Sequence, residues 1–224
     1  MIQAKKTMTK RLVFVAGNIG AGKTSLTERL GSRLGWRTAF ESVVDNPYLP
    51  DFYADMKTWS FHLQVFFLGH RAEQYLELAA DPRSAISDRS IYEDATIFAR
   101  ALHHLGNLRE RDYRAYQRLF DLVVGNLPAP DLLIYLKCSV PTLMARIQQR
   151  GRQMESTITA DYLTLLESFY DDWLQSFDVC PVLTIASDDL DFVHKPRHLD
   201  IVVKTIQDKL AGKEEIIFPQ NGNE

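Results

Sequence analysis

Leu12-Val13-Phe14-Val15-Ala16 is an unbroken apolar run that stops at Gly17, the pattern of a strand covered on both faces in a parallel sheet. After a glycine-rich interval the apolar positions take helical spacing at Leu26, Leu30 and Leu34, and Gly35 supplies a stop. Strand, glycine loop and helix therefore follow in order. Shorter strands are predicted at Arg37 to Phe40, Ser84 to Ser87, Asp131 to Lys137 and Pro181 to Ala186. Helical spacing predicts helices over Lys57 to Ala80, Ile91 to Leu105, Arg109 to Leu127, Val140 to Gln149, Thr159 to Phe177 and Arg197 to Ala211. This alternation reads as an α/β chain, a five-stranded parallel sheet flanked by helices. Residues 11–212 are expected to form one domain, with 1–10 and 213–224 as flexible tails.

Composition narrows the partner. The 224 residues carry a formal charge of -3, which gives no basic field of the kind a nucleic-acid polymer requires, so a small ligand is expected. No apolar run approaches the roughly 20 residues that span a bilayer, and no membrane partner is expected. Cys138 and Cys180 are far apart in sequence and suggest neither a disulfide framework nor a metal cluster; a reducing cytoplasm fits.

Gly17-Asn18-Ile19-Gly20-Ala21-Gly22-Lys23-Thr24 fits G-x-x-x-x-G-K-[ST] and lies between an apolar strand and a helix, where that motif works. Its glycines let successive backbone N–H groups and the positive helix end surround an anion. Lys23 is expected to reach the β- and γ-phosphates of ATP, and the Thr24 hydroxyl to coordinate Mg²⁺. Several classes of enzyme and switch share such a loop, and the absence of an N-K-x-D sequence argues against a GTPase switch.

Two further positions follow predicted strands, where α/β sheets bind ligands. Glu41 suits a base that takes the proton of an alcohol acceptor, a step that a phosphate acceptor does not need. Asp88 either caps the next helix or holds Mg²⁺ through water, with Arg89 beside it to position the attacking oxygen.

These residues, together with Asn46-Pro47-Tyr48-Leu49, Asp51-Phe52-Tyr53, Trp59 to Gln64, Asp88 to Asp94 and Arg150-Gly151-Arg152, resemble the deoxynucleoside kinase family over residues 11 to 210. The resemblance is strongest to the bacterial deoxyadenosine/deoxyguanosine kinases. It implies a P-loop kinase fold with an arginine-rich lid. It also implies Glu41 as base, Arg89 orienting the 5′-hydroxyl, and Asp88 as Mg²⁺ partner. Tyr53 and Glu155 would hold the sugar 3′-hydroxyl, and Gln64, Arg71 and Asp94 would read the base, with Phe98 stacked on it. Gln64 and Arg71 are seven apart and share a helix face. Phe98 equally suits plain core, and Arg71 a surface ion pair with Glu73 or Glu77. An ionised Asp94 only accepts hydrogen bonds and Arg71 only donates them, which favours adenine, guanine or cytosine over thymine. Asn46 stands where many animal members carry Trp.

Arg146, Arg150 and Arg152 follow the fourth predicted strand, and in the family this segment closes over ATP. The Asp189-Leu190-Asp191-Phe192 stretch falls where the family contacts the ATP adenine. The reading is an ATP- and Mg²⁺-dependent kinase of a purine deoxynucleoside in nucleotide salvage, dimeric as the family implies. Its alternatives are a deoxycytidine-preferring kinase, a thymidylate-kinase-like enzyme and a non-enzymatic nucleotide switch.

Overall fold

The computed structural model describes residues 9–40, 46–152, 155 and 157–212. Its parallel strands are β1 (Leu12–Gly17), β2 (Arg37–Ala39), β3 (Ala85–Asp88), β4 (Leu132–Lys137) and β5 (Val182–Ala186), ordered β2-β3-β1-β4-β5. The chain runs from β1 outward to β2, returns through β3, and crosses β1 to reach β4. Ligand crevices form beyond the carboxyl ends of the strands at such a reversal.

Central β1 explains the apolar run that marks it. Leu12, Phe14 and Ala16 belong to one buried cluster and Val13 and Val15 to a second, on the other face. Strand β4 divides likewise, Leu133 and Tyr135 against Leu132, Ile134 and Leu136. The first cluster is closed by α3 (Met56–Ala80), α6 (Glu110–Val124) and α8 (Ala160–Ser176), through Leu63, Tyr75, Tyr116, Leu166 and Tyr170. The second is closed by α1 (Lys23–Leu34), α7 (Val140–Arg150) and α9 (Pro196–Leu210), through Leu26, Leu30, Leu143, Ile147, Val202 and Ile206. Interior Gly31 lets α1 approach the sheet, since a Cβ there would lie 2.1 Å from Thr38 Cγ2.

Three elements differ from the expectations. Leu49–Ala54 forms a two-turn helix, α2, with Pro50 in its first turn and Phe52 buried; six residues are too few for periodicity to reveal. The expected helix over 91–105 is three segments: α4 (Ile91–Glu93), a π-helical stretch (Asp94–Ala99) and α5 (Arg100–His104). The Thr96 hydroxyl donates to the Tyr92 carbonyl (2.7 Å), a bond that competes with the regular α ladder. Helix α6 stops at Val124, because Asn126 and Leu127 donate to carbonyls three residues back. Expected tail residues 1–8 and 213–224 lie outside the described residues.

Candidate functional site

Strand β1 delivers the glycine loop to the carboxyl edge of the sheet. Gly17 takes φ +148, and a Cβ there would meet the Leu136 carbonyl oxygen at 2.8 Å, so a side chain is excluded on two counts. Gly22 (φ +96) precedes the first turn of α1. Buried Lys23 donates from Nζ to the carbonyls of Gly17 and Asn18, both at 2.9 Å, which folds its ammonium across the loop. Asn18 reaches the other way. Its Nδ2 donates to the Leu163 carbonyl (3.0 Å) and to Glu167 Oε2 (3.1 Å) on α8, while its Oδ1 accepts from Ile19 N–H. Gly20 and Ala21 complete the turn, Ala21 N–H donating to Asn18 O.

Strand register sets the next pair of groups beside this loop. Val15 of β1 pairs with Asp88 of β3, and Thr24 Oγ1 donates to Asp88 Oδ2 at 2.5 Å. A hydroxyl and a carboxylate in contact at a helix N-terminus are hard oxygen ligands, the set Mg²⁺ takes when phosphates and water complete its shell. Among the described residues no group of three or more His, Cys, Asp and Glu could cage a metal ion. Asp88 does not cap the helix after it; Ser90 does, with Glu93 Oε2 accepting from Ser90 N–H (2.7 Å) and Oγ (3.2 Å). That leaves the Asp88 carboxylate facing Thr24.

Arg89 has φ +74, the left-handed region that costs a non-glycine residue about 1–3 kcal/mol unless its surroundings dictate it. Its N–H donates to the Val15 carbonyl (2.8 Å), its guanidinium lies 4.5 Å from the Phe98 ring centroid, and its Nη1 donates to Glu93. So Phe98, expected against a base, carries Arg89 on its face. Tyr162 of α8 lies within electrostatic reach of both Arg89 and Tyr53, and burial pushes its hydroxyl up to about 12. Tyr53 is 46% exposed and packs edge-on against Phe52.

Arg71 and Asp94, each expected against the base, meet one another. Arg71 Nε donates to Asp94 Oδ2 at 2.7 Å with both side chains nearly sealed from solvent, so the surface-pair alternative with Glu73 or Glu77 is set aside. Gln64 is buried on the same face of α3. Asn46 is buried as well, its Oδ1 accepting from Tyr48 N–H ahead of α2.

The lid arginines separate. Arg146 binds backbone, donating to the carbonyls of Ser187 (2.6 Å), Ala21 (3.3 Å) and Asp188 (3.4 Å), and so ties the glycine loop to the turn after β5. Arg150 grips Glu155 from Nε (3.0 Å) and Nη2 (2.5 Å), with Arg152 Nη1 at 3.7 Å. Glu155, expected beside Tyr53, is thus held by the lid arginines. In the expected adenine-contact stretch, Phe192 is buried against Gly22. Glu41, with 42–45, lies outside the described residues.

A family model described as deoxynucleoside kinase matches residues 13–211. The chain belongs to the deoxynucleoside kinase family. The kinase is 38% identical over 197 residues to a deoxyadenosine/deoxycytidine kinase of Bacillus subtilis, covering 87% of this chain and 91% of that one. It is 39% identical to a deoxyguanosine kinase of the same organism, covering 83% and 90%. Among solved structures, the deoxyadenosine kinase from M. mycoides with bound dATP superposes with a TM-score of 0.77 at 27% identity, covering 88% of this chain and 99% of that one. The kinase is therefore a phosphotransferase built on a P-loop, with a nucleotide donor and a nucleoside acceptor.

Sequence reasoning missed the supports of this site. Buried Glu93, Tyr135 and Tyr170, with half-buried Glu167, form a polar layer behind the glycine loop, Tyr135 Oη donating to Glu167 Oε1 (2.7 Å). Only the Ser90-x-x-Glu93 capping pattern was available as a signal. The others resemble ordinary core and surface positions until the helices are packed.

Proposed function

We propose that the kinase transfers the γ-phosphoryl group of ATP to the 5′-hydroxyl of a purine deoxynucleoside, deoxyadenosine or deoxyguanosine, as a step of nucleotide salvage in the cytoplasm. The observation that carries this reading is the buried Arg71–Asp94 pair. It offers a donor edge next to an acceptor edge, which complements purine N7 or O6 beside an exocyclic amino group or ring N–H, and opposes thymine O4 and its methyl group. Gln64 completes the base contacts, and Tyr53 and Glu155 hold the sugar 3′-hydroxyl once Glu155 leaves the lid arginines.

On the donor side, the loop N–H groups of 17–24 and Lys23 cradle the phosphates, and Arg146, Arg150 and Arg152 close over them. Thr24 and Asp88 would hold Mg²⁺, which would supply positive charge to offset that of the donor phosphates. Glu41 accepts the proton of the 5′-hydroxyl as the 5′-oxygen bonds to the γ-phosphorus and the bond to the bridging oxygen of ADP breaks. Ala39 pairs with Ser87, so β2 ends beside the strand that leads into Asp88 and Arg89. Arg89 orients the attacking oxygen.

Relatives named deoxyadenosine and deoxyguanosine kinases support the purine assignment. A deoxycytidine-preferring kinase is the second reading, favoured by the B. subtilis deoxyadenosine/deoxycytidine relative and by the M. mycoides kinase solved with dCMP and dCDP. We also read the kinase as a homodimer: Leu76 of α3 and Leu119 and Leu122 of α6, on two packed helices, are exposed. Light scattering at micromolar concentration should give twice the chain mass. For the chemistry, Glu41→Gln should lower kcat by roughly 10²- to 10⁴-fold while ATP still binds, as expected for loss of a general base. Full activity in that variant would sink the mechanism.

A further inference from the structure

A single carboxylate, Glu93, joins the glycine loop to Arg89. Glu93 is fully buried, and both of its oxygens are occupied. Oε2 accepts from Ser90 N–H and Oγ. Oε1 accepts from three groups that belong to different parts of the machinery: Gly17 N–H of the glycine loop (3.3 Å), Arg89 Nη1 (3.3 Å) and Tyr170 Oη (2.6 Å). A buried carboxylate is costly unless paired and fully hydrogen-bonded, so an oxygen shared in this way holds its donors in one arrangement.

Tyr170 adds a second link. Its single hydroxyl proton faces two acceptors, Glu93 Oε1 at 2.6 Å and the Gly17 carbonyl at 2.8 Å, so the same hydroxyl sits against both the carboxylate and the glycine loop. Burial, with the Glu93 charge beside it, pushes the Tyr170 hydroxyl well above the usual phenol range, which keeps the proton in place. The Arg89 backbone is strained, and Glu93, one turn on, is one of the groups that hold its guanidinium.

We propose that Glu93, backed by Tyr170, is a positioning residue of the transfer reaction: through one carboxylate oxygen it fixes the Arg89 guanidinium relative to the first glycine of the phosphate loop. The γ-phosphorus and the acceptor oxygen must come within about 3–3.5 Å in line, and misplacement by about 1 Å costs on the order of 10²-fold in rate. A shared anchor for the two sides sets that distance before either substrate arrives. The inference rests on the role given above to Arg89.

The test measures steady-state kinetics of Glu93→Gln, Tyr170→Phe, the double variant and Arg89→Lys, with circular dichroism and thermal melts. Glu93→Gln should lower kcat by roughly 10- to 100-fold, with KM for ATP and for the deoxynucleoside each within about 3-fold of the parent. Tyr170→Phe should lower kcat by a smaller factor, about 3- to 10-fold, and the double variant should be no worse than Glu93→Gln alone, because both act through one oxygen. A folded Glu93→Gln enzyme with kcat within about 2-fold of the parent, or additive losses in the double variant, overturns the proposal. If Glu93→Gln does not fold, Tyr170→Phe decides: a lowered kcat at an unchanged melting temperature supports it, and an unchanged kcat overturns it. Full activity in Arg89→Lys would mean that the role of Arg89 is wrong. Loss there, with none in the other variants, would mean that the anchoring alone is wrong.

Discussion

Arg71 and Asp94 are sealed inside the protein at 2.7 Å, and breaking a buried pair costs far more than the intact pair contributes. Removing one partner strands the other. Asp94→Ala should therefore cost about 3–5 kcal/mol in urea unfolding, far more than an exposed pair such as Arg33–Asp200, for which Asp200→Ala should cost under about 1 kcal/mol. Asp94→Asn keeps the shape but turns an obligate acceptor into a group that also donates. It should cut kcat/KM for purine deoxynucleosides by roughly 10- to 100-fold and narrow the gap to thymidine. An unchanged ranking of bases in Asp94→Asn would count against this pair as the reader. The cysteines make a separate residue-scale prediction. Burial pushes Cys180 up to about 12 and raises Cys138, so both stay as unreactive thiols near neutrality. Titration with a thiol reagent at pH 8 should be slow in the native kinase and rapid for both thiols in denaturant.

At the scale of elements, the approach of α1 to β2 depends on Gly31. A methyl group would press on the stiff, β-branched Thr38 side chain at 2.1 Å, so Gly31→Ala should destabilise by about 1–3 kcal/mol despite its better helix propensity, as read from a denaturant midpoint. Helix α7, which carries Arg146 and Arg150, is tied at its start to the turn after β5. Asp188 accepts from Ser139 Oγ (2.6 Å) and N–H (3.0 Å), and these bonds hold its carboxyl down to about 2. A depressed folded pKa means that the contribution is complete above the unfolded value near 3.8 and fades as pH falls from there toward 2. The urea midpoints of the parent and Asp188→Asn should differ above pH 4 and converge by about pH 2. Elements were legible in proportion to how local their cause is. Doubly buried strands read as continuous apolar runs, and the phosphate loop needs its glycines at fixed spacing, so β1 and 17–24 could be located from sequence. The π-helical stretch leaves no mark on the apolar spacing, and the anchoring of Arg89 joins Gly17, Glu93 and Tyr170 across up to 153 positions, which no spacing rule reaches. Glu155 illustrates the remaining gap: its residue type suited a sugar contact, but its partners Arg150 and Arg152 depend on how the lid folds.

Across the whole molecule, the carboxyl edge of one parallel sheet gathers the glycine loop, Thr24 with Asp88, and Arg89, while α3 and the π-helical stretch bring Arg71 and Asp94 together in the half proposed for the acceptor. A ligand bound across both halves should stabilise the fold as a unit. At 100 times its Kd a nucleotide adds about 2.7 kcal/mol, so saturating dATP should raise Tm by about 5–10 °C in a scanning melt. The identity of the acceptor follows from kcat/KM for purified kinase with Mg-ATP against the four deoxynucleosides, their ribose counterparts and dTMP. A purine deoxynucleoside should rank first and thymidine last, with dTMP inert. Thymidine ranking first, or turnover of dTMP above the nucleosides, would rule out a purine deoxynucleoside as the acceptor.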